Sequence, residues 1–344
     1  MTQNSGLDDG NRSRLVSFLS KHGLNASGSE ITIDLISGGR SNLTYKVTTA
    51  EQSFVLRRPP LGHVLATAHD MSREYRVIEG LSRPGCDVPV PKPILLSDDE
   101  TVLGVPFYLM EYVPGYIVRT VEQAQSLSSA AQREIGEDLV DVLAALHTTD
   151  PEAVGLADFG RPAGFMERQV RRWVRQLADS RSREINGIDR LAEVLGGSVP
   201  EQRYNAIVHG DYRLDNCLLR DSHIAAVLDW EMSTLGDPLS DLGLFTVYHA
   251  GLAGIDNPVV QAFDGVGSFP SITDLHARYA AKTGFNIDDL PWYTAFAWFK
   301  FAVILEGIHY RGTLGATRGD GFEGVSELVQ PSVDRGLEAL ASAK

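Results

Sequence analysis

Two short blocks dominate this sequence: His209-Gly210-Asp211-Tyr212-Arg213-Leu214-Asp215-Asn216 and, twelve positions after Asn216, Leu228-Asp229-Trp230. Phosphoryl transfer from a nucleoside triphosphate needs a carboxylate to orient the attacking hydroxyl, and oxygen ligands for a magnesium ion bridging the phosphates. An Asp, an Asn five positions on, and a second Asp beyond a short hairpin supply those oxygens from neighbouring strand ends. Asp211 is the expected base; Asn216 and Asp229 are the expected metal ligands. Ala206-Ile207-Val208 and Ile224-Ala225-Ala226-Val227-Leu228 are apolar runs of strand type. Cys217-Leu218-Leu219 is another, turning at Arg220-Asp221-Ser222-His223. Singly, each of the three polar residues reads as an ordinary turn residue, because Asp and Asn side chains bond nearby backbone. Together, with strands on both sides, they point to chemistry.

The chain has 344 residues, enough for two domains or one enzyme of two lobes. A formal charge of −14 disfavours a general nucleic-acid binder, since phosphate backbones demand a basic surface. The first residues carry no basic and apolar run of the export type, which predicts a cytoplasmic protein. The longest apolar stretch, Trp292 to Ile308, is interrupted by Lys300 and Glu306, so a buried helix is expected and no membrane span. Cys86 and Cys217 have no metal-ligand spacing and are expected as reduced thiols, Cys217 as a small buried hydrophobe.

The first part of the chain reads as strands. Ile31–Ile36, Leu43–Thr48, Ser53–Arg57, Pro93–Leu96 and Val105–Tyr112 give a five-stranded antiparallel sheet, and Asp70–Leu81 one helix. Beyond Pro114-Gly115 the pattern turns helical, with Ser128–His147 and Phe165–Leu177 strongly amphipathic. Composition and pattern give an α+β class.

The His-Gly-Asp-x-x-x-x-Asn block, Leu-Asp-Trp, and Gly236-Asp237-Pro238 with Asp241 resemble the aminoglycoside phosphotransferase family, a branch of the protein-kinase-like fold. The Tyr212–Asn216 variant and Arg57-Arg58-Pro59-Pro60 are most similar to one subgroup. It holds the kinase-like domains of acyl-CoA dehydrogenase family members ten and eleven, with stand-alone bacterial relatives. The resemblance runs from about Ile31 to Arg311 and implies a two-lobed fold. Residues 1–112 are the expected nucleotide-binding lobe, and 113–344 the expected catalytic and substrate-binding lobe.

That fold implies roles for further residues. Gly38 and Gly39, with Ser41 and Asn42, form the turn expected over the phosphates; a Gly pair is otherwise simply a turn. Arg57 stands where kinases carry the strand-three lysine, with Glu74 its expected partner; a solvated strand edge is the alternative. Glu111 and Val113 mark the expected adenine hinge, read through backbone. His209 is implied to be structural. Arg213 is expected either near the transferred phosphoryl group or in an ion pair with Asp215.

Eleven residues separate Asp229 from Asp241, too few for a peptide-docking segment, so the expected acceptor is a small molecule bearing a hydroxyl. The resemblance implies hydroxy-acid or hydroxyacyl-CoA acceptors. Trp298 and Arg311 are the expected contacts to an apolar, anionic substrate, although aromatics at helical spacing are more often core. The function expected is ATP- and Mg²⁺-dependent O-phosphotransfer. Its rivals are an aminoglycoside or amino-sugar kinase, and a catalytically silent nucleotide- or acyl-CoA-binding protein.

Overall fold

The computed structural model describes residues 7–28, 30–38, 42–60, 70–252, 262–314 and 324–342. The chain divides into two compact units, Met1–Gly115 with Ala225–Glu231, and Tyr116–Ile224 with Met232–Lys344.

In the first unit the elements run α1 (Asp9–Lys21), β1 (Thr32–Gly38), β2 (Leu43–Thr48), β3 (Ser53–Arg58), α2 (Met71–Leu81), β4 (Pro93–Ser97), α3 (Glu100–Leu103) and β5 (Phe107–Glu111). The strands form one antiparallel sheet in the order β1-β2-β3-β5-β4. Tyr45, Val47, Phe54, Leu56, Phe107 and Leu109 bury one face of it against Leu15 and Leu19 of α1. Period-two alternation on the strands and i, i+4 spacing on the helix produce that layer. Three described helices accompany the sheet: α2 over the expected Asp70–Leu81, α1 over a helical stretch expected near Arg14 to Lys21 of the polar N-terminal stretch, and α3, which was not expected. α1 starts early because Asp8 accepts from Asn11 N–H at 2.6 Å, an N-cap within the polar stretch. Asp70 caps α2 likewise, accepting from Arg73 N–H at 3.0 Å. The buried positions of α2 include Met71, Glu74, Val77, Ile78 and Leu81, so Glu74 occupies an inward helical position normally held by an apolar residue.

The second unit holds α4 (Val121–Gln125), α5 (Ser129–Thr148), α6 (Phe165–Ser180), α7 (Ile188–Gly197), β6 (Ala206–Val208), β7 (Cys217–Arg220), the start of β8 (His223–Val227), β9 (Thr234–Gly236), α8 (Leu239–Ala250), α9 (Ile272–Thr283), α10 (Leu290–Thr313) and α11 (Val329–Ala341). β7 and β8 form the expected two-stranded hairpin, and the chain passes back to the first unit along β8. β6 pairs antiparallel with β9. α10 is the central helix, packing on α6, α7, α8 and α11 through buried Trp292, Phe296, Phe299 and Val303. Gly243 lets α8 approach α10, since a Cβ there would lie 2.7 Å from the Tyr293 backbone. No described helix is long and apolar enough to cross a membrane.

Candidate active site

In the first unit the polar residues gather around Arg57. Its Nε donates to Glu74 Oε2 at 3.1 Å and its Nη2 to Asp229 Oδ1 at 2.6 Å, while Glu231 Oε2 lies 3.9 Å from Nη2. Asn42 joins through Glu231, its Nδ2 donating to Oε2 at 3.3 Å. A planar guanidinium can hold two carboxylates at once along separate edges, which an ammonium point charge cannot do as well. Burial alone would depress the Arg57 pKa, but Glu74, Tyr108 and Asp229 outweigh it and the net shift is upward. Glu74 moves the other way from an ordinary carboxylate. Its burial pushes it up, Arg57 pulls it down, and the charges of Asp229 and Glu231 push it up again, to about 7. One cation is shared among three acids, and the most buried of them is left least compensated.

Asp229 adopts φ 66°, a left-handed conformation that costs a non-glycine residue energy and that Asp tolerates better than most. Its second carboxylate oxygen makes no hydrogen bond among the described residues. At the hinge, the Glu111 amide is already used, donating to Lys92 O at 2.8 Å, so only its carbonyl could face a base. Val113 N–H makes no hydrogen bond among the described residues, and the residue is half-buried. Gly38 ends β1 opposite Leu43. Gly39 and Ser41 lie outside the described residues.

In the second unit the loop after β6 is fixed by Asp241. Its carboxylate accepts from His209 N–H at 2.5 Å and Gly210 N–H at 2.8 Å, and His147 Nε2 lies 3.4 Å away. Burial would raise the Asp241 pKa, but His147, His209 and these hydrogen bonds bring it below the usual carboxylate value. His209 is fully buried and its Nδ1 accepts from Asp211 N–H at 3.2 Å, a loop-shaping contact. Gly210 has φ 84°, and a Cβ there would meet Met232 at 2.9 Å.

Asp211 is held at both carboxylate oxygens. Tyr248 Oη donates to Oδ1 at 2.7 Å, and Asn216 Nδ2 donates to Oδ2 at 3.1 Å and to the Asp211 carbonyl at 2.8 Å. With its amide nitrogen turned to Asp211, Asn216 presents its carbonyl oxygen outward. An amide carbonyl oxygen such as this one is a hard donor of the kind magnesium takes. Arg213 forms the ion pair with Asp215, and its guanidinium lies 5.0 Å from the Tyr248 ring centroid. Cys217 is fully buried, and burial pushes its thiol pKa upward, as expected of a packed rather than a reactive cysteine.

The expected substrate contacts fare differently. Trp298 is a core residue, packed edge-to-face on buried Phe301 at 6.0 Å, and Arg311 is exposed in the last turn of α10. Three residues beside the predicted ones were not anticipated. Glu231 joins the Arg57 cluster with no distinguishing sequence signal. Tyr248 lies seven residues after Asp241, two turns along the same face of α8, and that periodicity could have found it. Lys300 reaches the Gly210 carbonyl at 3.3 Å from α10; its signal was a charge inside an apolar helix.

The model of the phosphotransferase enzyme family matches residues 32–278. Human acyl-CoA dehydrogenase family member 11 is 33% identical over 333 residues, which cover 94% of this chain and 42% of that protein. The chain spans less than half the length of the acyl-CoA dehydrogenase relatives it matches. A solved structure from Ralstonia eutropha JMP134, named for the aminoglycoside phosphotransferases, is 32% identical. It aligns with a TM-score of 0.82 over 96% of this chain and 98% of that one. Choline kinase from Cryptosporidium parvum Iowa II shares the fold at a TM-score of 0.65 and 14% identity, over 96% of this chain and 95% of that one. The chain belongs to the phosphotransferase enzyme family and has its kinase-like fold.

Proposed function

We propose that this protein transfers the γ-phosphate of ATP, with Mg²⁺, to a hydroxyl of a small molecule. The observation that carries this is Asp211, a carboxylate fixed at both oxygens by Tyr248 and Asn216 on a loop braced by Asp241. Such a group is pre-positioned to align an alcohol and take its proton. Asn216 and Asp229 are the proposed magnesium ligands, and the ion would neutralise charge on the phosphates. Arg57, held by Glu74, is the proposed phosphate cation, and Asn42, Gly38, Gly39 and Ser41 belong to the same nucleotide-handling part. The Glu111 carbonyl and Val113 amide are the proposed adenine contacts. Arg213, kept in place by Asp215, adds positive charge beside Asp211.

Residues 1–112 are the proposed nucleotide-binding lobe and 113–344 the proposed catalytic and substrate-binding lobe, a reading supported by the division into Met1–Gly115 with Ala225–Glu231 and the remainder. A hydroxy acid or hydroxyacyl-CoA is the favoured acceptor, supported by relatives named as acyl-CoA dehydrogenase family members. Turnover of [γ-³²P]ATP against hydroxy acids, hydroxyacyl-CoAs, amino sugars and choline-like alcohols tests this. Transfer to one of these acceptors is expected. Label retained in ATP with every acceptor would leave a nucleotide- or acyl-CoA-binding protein as the better description.

A further inference from the structure

α10 is almost wholly apolar and buried along its middle, yet Lys300 stands within it, half-buried between Phe299 and Phe301. An ammonium has three donors. The one protein acceptor of Lys300 among the described residues is the Gly210 carbonyl, at the long distance of 3.3 Å. Its Nζ also lies over the Trp173 ring of α6, 5.6 Å from the centroid. No carboxylate pairs with it among the described residues, whereas Arg57, Arg183, Arg213 and Arg278 each have at least one. Burial depresses its pKa, opposed by the charges of Asp211 and Asp241 and reinforced by Arg172. A half-desolvated ammonium with unused donors is unfavourable unless an acceptor oxygen reaches it.

Its position says which oxygen. Gly210 immediately precedes Asp211 and is locked by its left-handed backbone and by Asp241. A group bound to Lys300 is therefore held at a fixed place beside the carboxylate that orients the acceptor hydroxyl. Arg311, eleven residues further along the same helix, is about 16 Å away along its axis and exposed.

We propose that Lys300, with Trp173 as a wall, binds the acyl oxygen of the phosphate acceptor, a carboxylate or a thioester carbonyl a few bonds from the reacting hydroxyl. This rests on the phosphotransferase reading and adds to it the group that selects the acceptor. Lys300 is a binding residue in this assignment and takes no proton.

The test compares wild type with Lys300→Met and Lys300→Arg on 2-, 3- and 4-hydroxy acids of four to six carbons, their coenzyme A thioesters, and the matching monohydric alcohols. Wild type is expected to favour the acyl compounds over the alcohols by tenfold or more in kcat/KM. Lys300→Met is expected to raise KM for acyl compounds about 10- to 100-fold, the loss of one charge-assisted bond, with a smaller effect on kcat. Its KM for ATP and for the alcohols should stay within about twofold, and Lys300→Arg should recover part of the preference. A preference for acids over thioesters identifies the oxygen as a carboxylate; the reverse identifies a carbonyl. An equal loss on every acceptor, a loss confined to ATP, or an unchanged preference in Lys300→Met overturns the proposal. If wild type phosphorylates none of these compounds, the phosphotransferase reading fails by itself. Calorimetry of the same acids and thioesters then decides on Lys300: binding weakened tenfold in Lys300→Met upholds it, and equal or absent binding overturns it.

Discussion

Arg57 Nη2 sits 2.6 Å from Asp229 Oδ1, so the cation standing at the strand-three lysine position is bonded directly to the aspartate of the Leu-Asp-Trp block. The same guanidinium reaches Glu74 through Nε at 3.1 Å. The pair ties β3 to the returning Ala225–Glu231 segment within one unit, and it occupies one Asp229 oxygen.

Substitution at Arg57 should separate the fork from the charge. Arg57→Lys keeps a cation but cannot bridge both acids as well, so partial activity is expected. Arg57→Ala leaves Glu74 and Asp229 facing each other uncompensated, and should cost about 2–4 kcal/mol of stability in urea unfolding together with most of the turnover. Two variants indistinguishable from wild type would return Arg57 to a simple strand edge.

Glu74 gives the protein a pH-dependent stability of stated sign. Its pKa is raised by burial to about 7, so the folded state binds its proton more tightly than the unfolded state does. The Glu74 contribution is full below its unfolded value, near 4.5, and is lost as pH rises through about 7. Glu74→Gln should therefore gain stability relative to wild type between pH 5 and pH 8. Melting curves at both pH values check this, and a constant difference would contradict it.

Asp241→Ala should be among the more damaging polar substitutions in the helical unit. It strips acceptors from the His209 and Gly210 amides, and each unsatisfied buried N–H costs about 1–3 kcal/mol. Accelerated hydrogen exchange at His209 and Gly210 should accompany a lowered Tm. Unaltered protection of those amides would show that the loop is held by other contacts.

Asp229→Ala should weaken nucleotide binding in the presence of Mg²⁺ while leaving the weaker metal-free binding nearly unchanged, if the lost oxygen is the ligand of the ion proposed above. Calorimetry with ATP, with and without Mg²⁺, measures both arms. Equal affinity for ATP–Mg²⁺ in wild type and variant would remove Asp229 from the metal site.

Much of this was legible in the residues because it repeats with a short period. Strand Leu43–Thr48 follows alternation, strand Ser53–Arg58 carries a short apolar run at Phe54–Leu56, and α5 follows its apolar face from the Ser128 cap. Asp211 and Asn216 were findable because a fixed loop spacing brings them together, and here Asn216 does bond Asp211. Residues recruited from distant elements left weaker traces. Tyr248 is 37 positions from Asp211 and Lys300 is 90 from Gly210, and only packing of α8 and α10 brings them to the loop. Trp298 went astray for a related reason: aromatic spacing on a helix marks a buried face without saying whether a ligand or another helix covers it. Glu74 could be placed as Arg57's partner by element order, but its raised pKa depends on burial and on Glu231, which spacing does not disclose.

The central claim is that Asp211 aligns and deprotonates an alcohol for phosphoryl transfer, and Asp211→Asn tests it most directly. Asn keeps the shape and can still accept from Tyr248, and Asn216 keeps its 2.8 Å bond to the carbonyl of residue 211, so the loop should hold while the Asn216 bond to Oδ2 and the proton acceptor are lost. Steady-state transfer of the γ-phosphate from ATP to the best hydroxyl acceptor should fall about 100-fold or more, with ATP–Mg²⁺ affinity by calorimetry within about twofold of wild type. Turnover by Asp211→Asn at a rate near that of wild type would contradict the assignment of Asp211 as the base.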